Sequence, residues 1–146
     1  FFARGVLETV KKLRWTPTVV HCHGWFSSVV PLYLKQVFAD DPIFRDVKVV
    51  VSLYDDAFSR PLDAAFGKKI ASEGVKDENI GILDGASYEN LFRFVMTYVD
   101  GIVIASHGVG DAVRKLAAES GKPVLEDGDP TAPEFFDNYN RFYEAL

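Results

Sequence analysis

Apolar and polar positions alternate along this chain in two different periods, and the switches between them mark the elements. Val6, Leu7, Val10 and Leu13 recur at helical spacing against Glu8, Lys11, Lys12 and Arg14, which predicts an amphipathic helix over residues 1 to about 14. Trp15-Thr16-Pro17 ends it, and Thr18 to His23 is a short β-branched run bounded by Pro17 and Gly24, the pattern of a strand buried on both faces. A second helix is expected from Ser27 or Ser28, either of which could cap it, with Val29, Val30, Tyr33, Leu34 and Val37 facing inward and Pro31 in its first turn. Asp40-Asp41-Pro42 stops that helix, and Val47 to Leu53 is the next strand.

Beyond Leu53 the periodicity lapses into a loop, Tyr54 to Pro61, before helices predicted over residues 63 to 72 and from Ser87 through Tyr98. Ile102 to Ala105 is a third strand, a helix follows from about Val109 to Glu119, and Pro123 to Glu126 is a short fourth strand. After a polar loop at 127 to 133, the residues Phe135, Phe136, Tyr139, Phe142, Tyr143 and Leu146 define a terminal aromatic helix, at about 132–146. Strands that alternate with helices predict an α/β, Rossmann-like, mainly parallel sheet with helices on both faces. Ligands of such sheets bind beyond the carboxyl ends of the strands, so the candidate crevice is lined by His23 to Phe26, Tyr54 to Arg60 and Ser106 to Gly108.

Composition narrows this picture. A chain of 146 residues with 48% apolar and 25% charged residues has room for one globular domain with its own core. A net charge of −5 argues against nucleic acid or an anionic membrane as partner, and no stretch approaches the roughly 20 apolar residues of a membrane span. The lone Cys22 cannot close an internal disulfide and reads as an inert buried thiol, so a reducing cytoplasm is the expected compartment. The chain opens on Phe1 without a methionine or a cap before the apolar pattern, which suggests a single but incomplete domain over residues 1–146.

Three histidines and an aspartate pair are the candidate chemistry. His21 and His23 share one face of their strand, but His107 lies beyond another strand with no matching carboxylates, so neither metal nor cofactor is expected. His21 reads as a core histidine satisfied by a backbone partner, whereas His23, last before a glycine and a helix start, can reach a ligand hydroxyl or phosphate. Asp55 and Asp56 could form an acid–base pair, yet adjacent residues of an extended loop point apart, and a solvated turn is the plainer reading. Gly108-Val109-Gly110 lacks the full dinucleotide fingerprint. The terminal aromatic stripe serves as core or as a docking face, which leaves room for a protein partner or self-association.

Residues 17 to 35, Pro-Thr-Val-Val-His-Cys-His-Gly-Trp-Phe-Ser-Ser-Val-Val-Pro-Leu-Tyr-Leu-Lys, resemble a segment of bacterial glycogen and starch synthases that reads Pro-Asp-hydrophobic-Val-His-x-His-Asp-Trp-His, then small residues, then Pro-x-Tyr-Leu-Lys. Val50 to Leu53 falls where that family has a strand leading to a His-Asn pair, Ile104-Ala105-Ser106 resembles its Thr-Val-Ser strand end, and residues 139 to 146 resemble its closing helix. The likeness is greatest to a compact form associated with Bacteroidetes-type bacteria.

The resemblance implies the N-terminal half of a GT-B glycosyltransferase, with a nucleotide sugar (ADP-glucose or UDP-glucose) and an α-1,4-glucan as substrates. It implies that His23 contacts the transferred glucose and that Trp25 supports that loop. Departures are specific: Gly24 and Phe26 replace the family's Asp and second His, and Ser52-Leu53 replaces its His-Asn pair. The Lys-x-Gly-Gly donor loop and the domain that supplies cations for the diphosphate have no counterpart here, so no residue of this chain is assigned a catalytic role and the chain alone is expected to be inactive. A non-catalytic glucan-binding or regulatory module of the same fold is the second expectation. An unrelated α/β interaction domain is the third, favoured if neither Ser27 nor Ser28 starts a helix after the His23 strand.

Overall fold

The computed structural model describes residues 1–127 and 129–146. Four strands, β1 (Val19–His23), β2 (Lys48–Leu53), β3 (Gly101–Ile104) and β4 (Val124–Glu126), form one sheet in the order β1-β2-β3-β4. All three pairings are parallel, in a register that sets His21 beside Val50, His23 beside Ser52, Ser52 beside Val103 and Val103 beside Leu125. Helices α1 (Phe2–Lys12), α2 (Gly24–Ser27), α3 (Val30–Gln36), α4 (Phe66–Ser72), α5 (Tyr88–Val95), α6 (Asp111–Glu119) and α7 (Phe135–Glu144) complete the α/β architecture that the patterning predicts.

Side-chain alternation divides the sheet into two unequal faces. Cys22, Val49, Val51, Leu53, Ile102 and Ile104 join Leu7, Leu32, Leu34, Leu91, Phe92 and Val113 from the helices in the main core. The opposite face carries His21, His23, Val50, Ser52, Gly101 and Val103. It is crossed by α7, every residue of which keeps some exposure. Gly101 makes this crossing feasible, because a Cβ there would stand 2.8 Å from Phe142 Cζ and 2.9 Å from a Leu146 methyl.

Several sequence expectations shift for physical reasons. β2 is buried on both faces, but β1 is half-buried because it is the sheet edge. Ser27 and Ser28 do not cap a helix start: the chain turns helical immediately at Gly24, and both hydroxyls donate backwards, Ser27 to the His23 carbonyl at 2.8 Å and Ser28 to the Trp25 carbonyl at 2.6 Å. Helix α3 then begins at Val30, with Pro31 in its first turn. The helix expected from residue 63 starts at Phe66, since the Asp63 carboxylate accepts the Ala65 N–H at 2.8 Å and holds a turn. Ser87 caps α5 as its type suggests, accepting the Asn90 N–H at 3.2 Å, and α5 tightens into a 3₁₀ turn at Met96–Tyr98. No helix among the described residues is long and apolar enough to cross a membrane.

Candidate functional site

The parallel register between β1 and β2 produces a diagonal ladder of side chains on the α7 face. Ser52 lies two residues beyond the partner of His21, and Tyr54 two beyond the partner of His23. His21 Nε2 accordingly meets Ser52 Oγ at 2.7 Å, and His23 Nδ1 meets the Tyr54 hydroxyl at 2.9 Å. The two imidazoles stack with centroids 4.2 Å apart and planes 23° from parallel.

His21 is satisfied, though not by the backbone partner that the sequence suggests. Its Nδ1 is held by the Tyr143 hydroxyl of α7 at 2.6 Å, so one ring nitrogen donates, the other accepts, and the imidazole is fixed between two hydroxyls. Burial, with the neighbouring His23 adding to it, lowers the His21 pKa to about 4. Burial lowers the His23 pKa as well, so both rings are neutral at pH 7. His23 is nevertheless exposed at the end of β1, and among the described residues its Nε2 has no protein partner. An imidazole so placed, oriented by one nitrogen and open at the other, can pair with a ligand hydroxyl.

Helix α7 brings a further pair to this edge. Tyr139, 6.1 Å from His21 between ring centroids, donates its hydroxyl to Asp127 Oδ2 at 2.9 Å just beyond β4. Among the described residues, Asp127 Oδ1 is buried without a hydrogen-bond partner.

The loop after β2 lies between those after β1 and β3, and its two aspartates reach to either side. Asp56 is more than a solvated turn residue: its carboxylate accepts the Trp25 N–H at 3.0 Å, capping α2, and the Tyr88 hydroxyl at 2.7 Å. Gly24, at φ +70°, is required there, because a Cβ would fall 2.5 Å from Asp56 Oδ2. Asp55 faces the other way, against Gly108, where a Cβ would meet its carboxylate oxygen at 2.5 Å. The pair therefore points apart, as extended backbone dictates, and joins three loops instead of forming an acid–base couple. Arg114 fixes the third loop by donating to the Ser106 carbonyl at 2.9 Å and to both Glu126 oxygens at 3.1 Å.

The two candidate binding residues are not brought together. Trp25 turns from the imidazoles toward the main core, packing edge-on against Phe26 at 5.9 Å and Phe58 at 5.2 Å. It lines an apolar cavity of about 500 Å³ with Phe2, Val29, Leu62 and Phe66. His107 is exposed on its loop, and among the described residues no group of three or more histidine, cysteine or acidic side chains converges as a metal site. Cys22 is buried, and that burial pushes its thiol up to about 12. Sequence reasoning placed Tyr54 in the crevice but not its bond to His23, and it missed Ser52 and Tyr143 as partners of His21 and the Tyr139–Asp127 pair beside them. A known register between β1 and β2 would have found the Tyr54 and Ser52 contacts.

Residues 1–123 match the model of the starch synthase catalytic domain. The chain belongs to that family. It is therefore not the unrelated α/β domain that the lack of a helix start at Ser27 or Ser28 would favour. A glycogen synthase of Chlorobium limicola is 32% identical over 126 residues, covering 79% of this chain and 26% of that protein. One from Chlorobium phaeovibrioides is 46% identical over 55 residues, 38% of this chain and 11% of that protein. One from Clostridium perfringens is 26% identical over 114 residues, 78% and 24% of the two chains. This chain thus spans about a quarter or less of the length of such relatives. No solved structure matches it. Helix α7, and with it Tyr139 and Tyr143, lies beyond the matched span.

Proposed function

We propose that residues 1–146 form a single, incomplete N-terminal glycosyltransferase domain of the GT-B type, serving a cytoplasmic enzyme that transfers glucose from ADP-glucose or UDP-glucose to an α-1,4-glucan. The observation that carries this reading is His23: a neutral imidazole at the carboxyl end of β1, tethered through Nδ1 and open through Nε2. In this role His23 pairs with a hydroxyl of the transferred glucose. Trp25 supports the loop from behind through its packing on Phe58 and its N–H to Asp56.

The chain by itself does not transfer sugar in this reading. Departure of a nucleoside diphosphate needs cationic stabilisation of several kcal/mol. At this sheet edge Arg114 is committed to Glu126 and to a backbone carbonyl, and the exposed Arg60 is a single cation against the negative charge of Asp55, Asp56 and Asp127. The test is glucosyl transfer from each donor to glycogen by the full-length protein and its His23→Ala variant. Loss of roughly 10²-fold or more in kcat is expected for a lost transition-state contact of this kind. Undiminished activity in the variant removes His23 from the reaction.

One observation favours the second reading, a glucan-binding or regulatory module. Ser52 and Leu53, where the resemblance places a His-Asn pair, are fully buried, and Ser52 is spent on His21. Binding of maltooligosaccharide without binding of either nucleotide sugar selects that reading.

A further inference from the structure

Tyr54 stands one residue beyond β2, so the parallel pairing of Ser52 with His23 fixes where its backbone sits relative to the imidazole. Its hydroxyl is 2.9 Å from His23 Nδ1, and burial raises its pKa, which keeps the phenol protonated at neutral pH. Phenol oxygen is a good donor and a poor acceptor, because its lone pair is shared with the ring. The unprotonated nitrogen of a neutral imidazole is a good acceptor. Of the two ways to arrange the proton, O–H to Nδ1 is therefore the favoured one.

We infer that Tyr54 is a positioning residue for His23: it donates to Nδ1 and so holds the imidazole as the tautomer whose Nε2–H is offered to an oxygen of the sugar. The inference rests on the sugar-contact reading of His23 and gives it a direction, since His23 then acts as a hydrogen-bond donor and not as a base. The stack on His21 limits rotation of the ring, and His21 is itself clamped by Ser52 and Tyr143. The titratable groups around the pair are His21 on β1, Asp56 and Asp127 near Tyr54, and Tyr139 and Tyr143 on α7.

Long-range ¹H–¹⁵N correlation spectra of the labelled 146-residue chain at pH 7 report which ring nitrogen carries the proton. The Nε2–H tautomer alone is expected for His23 in the wild type, and a mixture of tautomers in Tyr54→Phe, which keeps the ring and loses the hydroxyl. Tyr143→Phe should disturb His21 and leave the His23 tautomer as it was. A wild-type spectrum showing Nδ1–H, which needs no variant, overturns the proposal. So does a Tyr54→Phe spectrum identical to the wild type. Because no sugar is present, these results stand apart from the transfer assay: loss of the substrate role of His23 leaves the tautomer intact, and a wrong tautomer leaves the substrate role to be judged by His23→Ala.

Discussion

Replacing Gly24 by alanine tests the contact that shapes the strand end carrying His23. Two costs are separable. An L-residue at φ +70° is strained by about 1 kcal/mol. The new Cβ would also stand 2.5 Å from Asp56 Oδ2, so the carboxylate must withdraw from the Trp25 N–H and the Tyr88 hydroxyl. Charged hydrogen bonds contribute about 1.5–3 kcal/mol each, but Asp56 is only half-buried and water replaces part of the loss, which leaves about 2 kcal/mol for the pair. Gly24→Ala should thus destabilise by about 3 kcal/mol, equivalent to roughly 10 °C in Tm for a chain of this size.

A double-mutant cycle separates these costs. Asp56→Ala alone loses the same two bonds, about 2 kcal/mol. In the double variant the clash has vanished and only the φ strain adds, for a total of about 3 kcal/mol rather than the additive sum of about 5. Urea denaturation of the four proteins, with comparable m-values, gives the coupling directly as about 2 kcal/mol. Strict additivity would refute the claim that Asp56 occupies the space of a side chain at position 24, and a cost for Gly24→Ala below about 0.5 kcal/mol would refute the strain as well.

Other outcomes follow from the α7 face. Gly101→Ala should lift α7, since Phe142 and Leu146 occupy the volume of the new Cβ, and amide exchange should accelerate in residues 135–144 well before the sheet. The His21 pKa is depressed in the folded chain to about 4 from an ordinary 6.5. Below pH 6.5 the unfolded state therefore binds a proton that the folded state refuses, and stability falls as pH drops from about 6.5 to about 4. Allowing for the part of the ring that water reaches, the loss should be about 1–2 kcal/mol by urea midpoints, and His21→Gln should flatten that slope. Tyr143→Phe leaves His21 Nδ1 without its hydroxyl and should cost about 1 kcal/mol, measured in the same denaturation assay.

What was legible in the sequence was what a single element encodes. A β-branched run between Pro17 and Gly24 marked β1, β-branched runs at Val47 to Leu53 and Ile102 to Ala105 marked β2 and β3, and the helical period marked α1, α5, α6 and α7 within a few residues. His23 could be placed at a strand end because Gly24 follows it. The caps and turns at Ser27, Ser28 and Asp63 were less legible, since a short polar side chain can donate backwards, accept forwards or close a turn, and the choice depends on where the backbone has already bent.

The partners of the two histidines were illegible for a different reason. Ser52 and Tyr54 each lie 31 residues from the ring they touch, and Tyr143 lies 122 residues from His21. Contacts of that span are set by strand register and by the docking of α7 over Gly101, neither of which leaves a local signature. The same distinction explains why the departures from the family motif look harsher in sequence than in space. Gly24 lacks a side chain, yet Asp56 fills its place and caps α2 from a neighbouring loop. Ser52 has lost any chance of meeting a ligand, yet it helps to hold the ring against which His23 stacks. A motif read along one strand records which residues are present at the crevice. The surroundings of the imidazole are set across strands, by the Tyr54 hydroxyl on its Nδ1 and by the stacked His21 ring that Tyr143 and Ser52 hold.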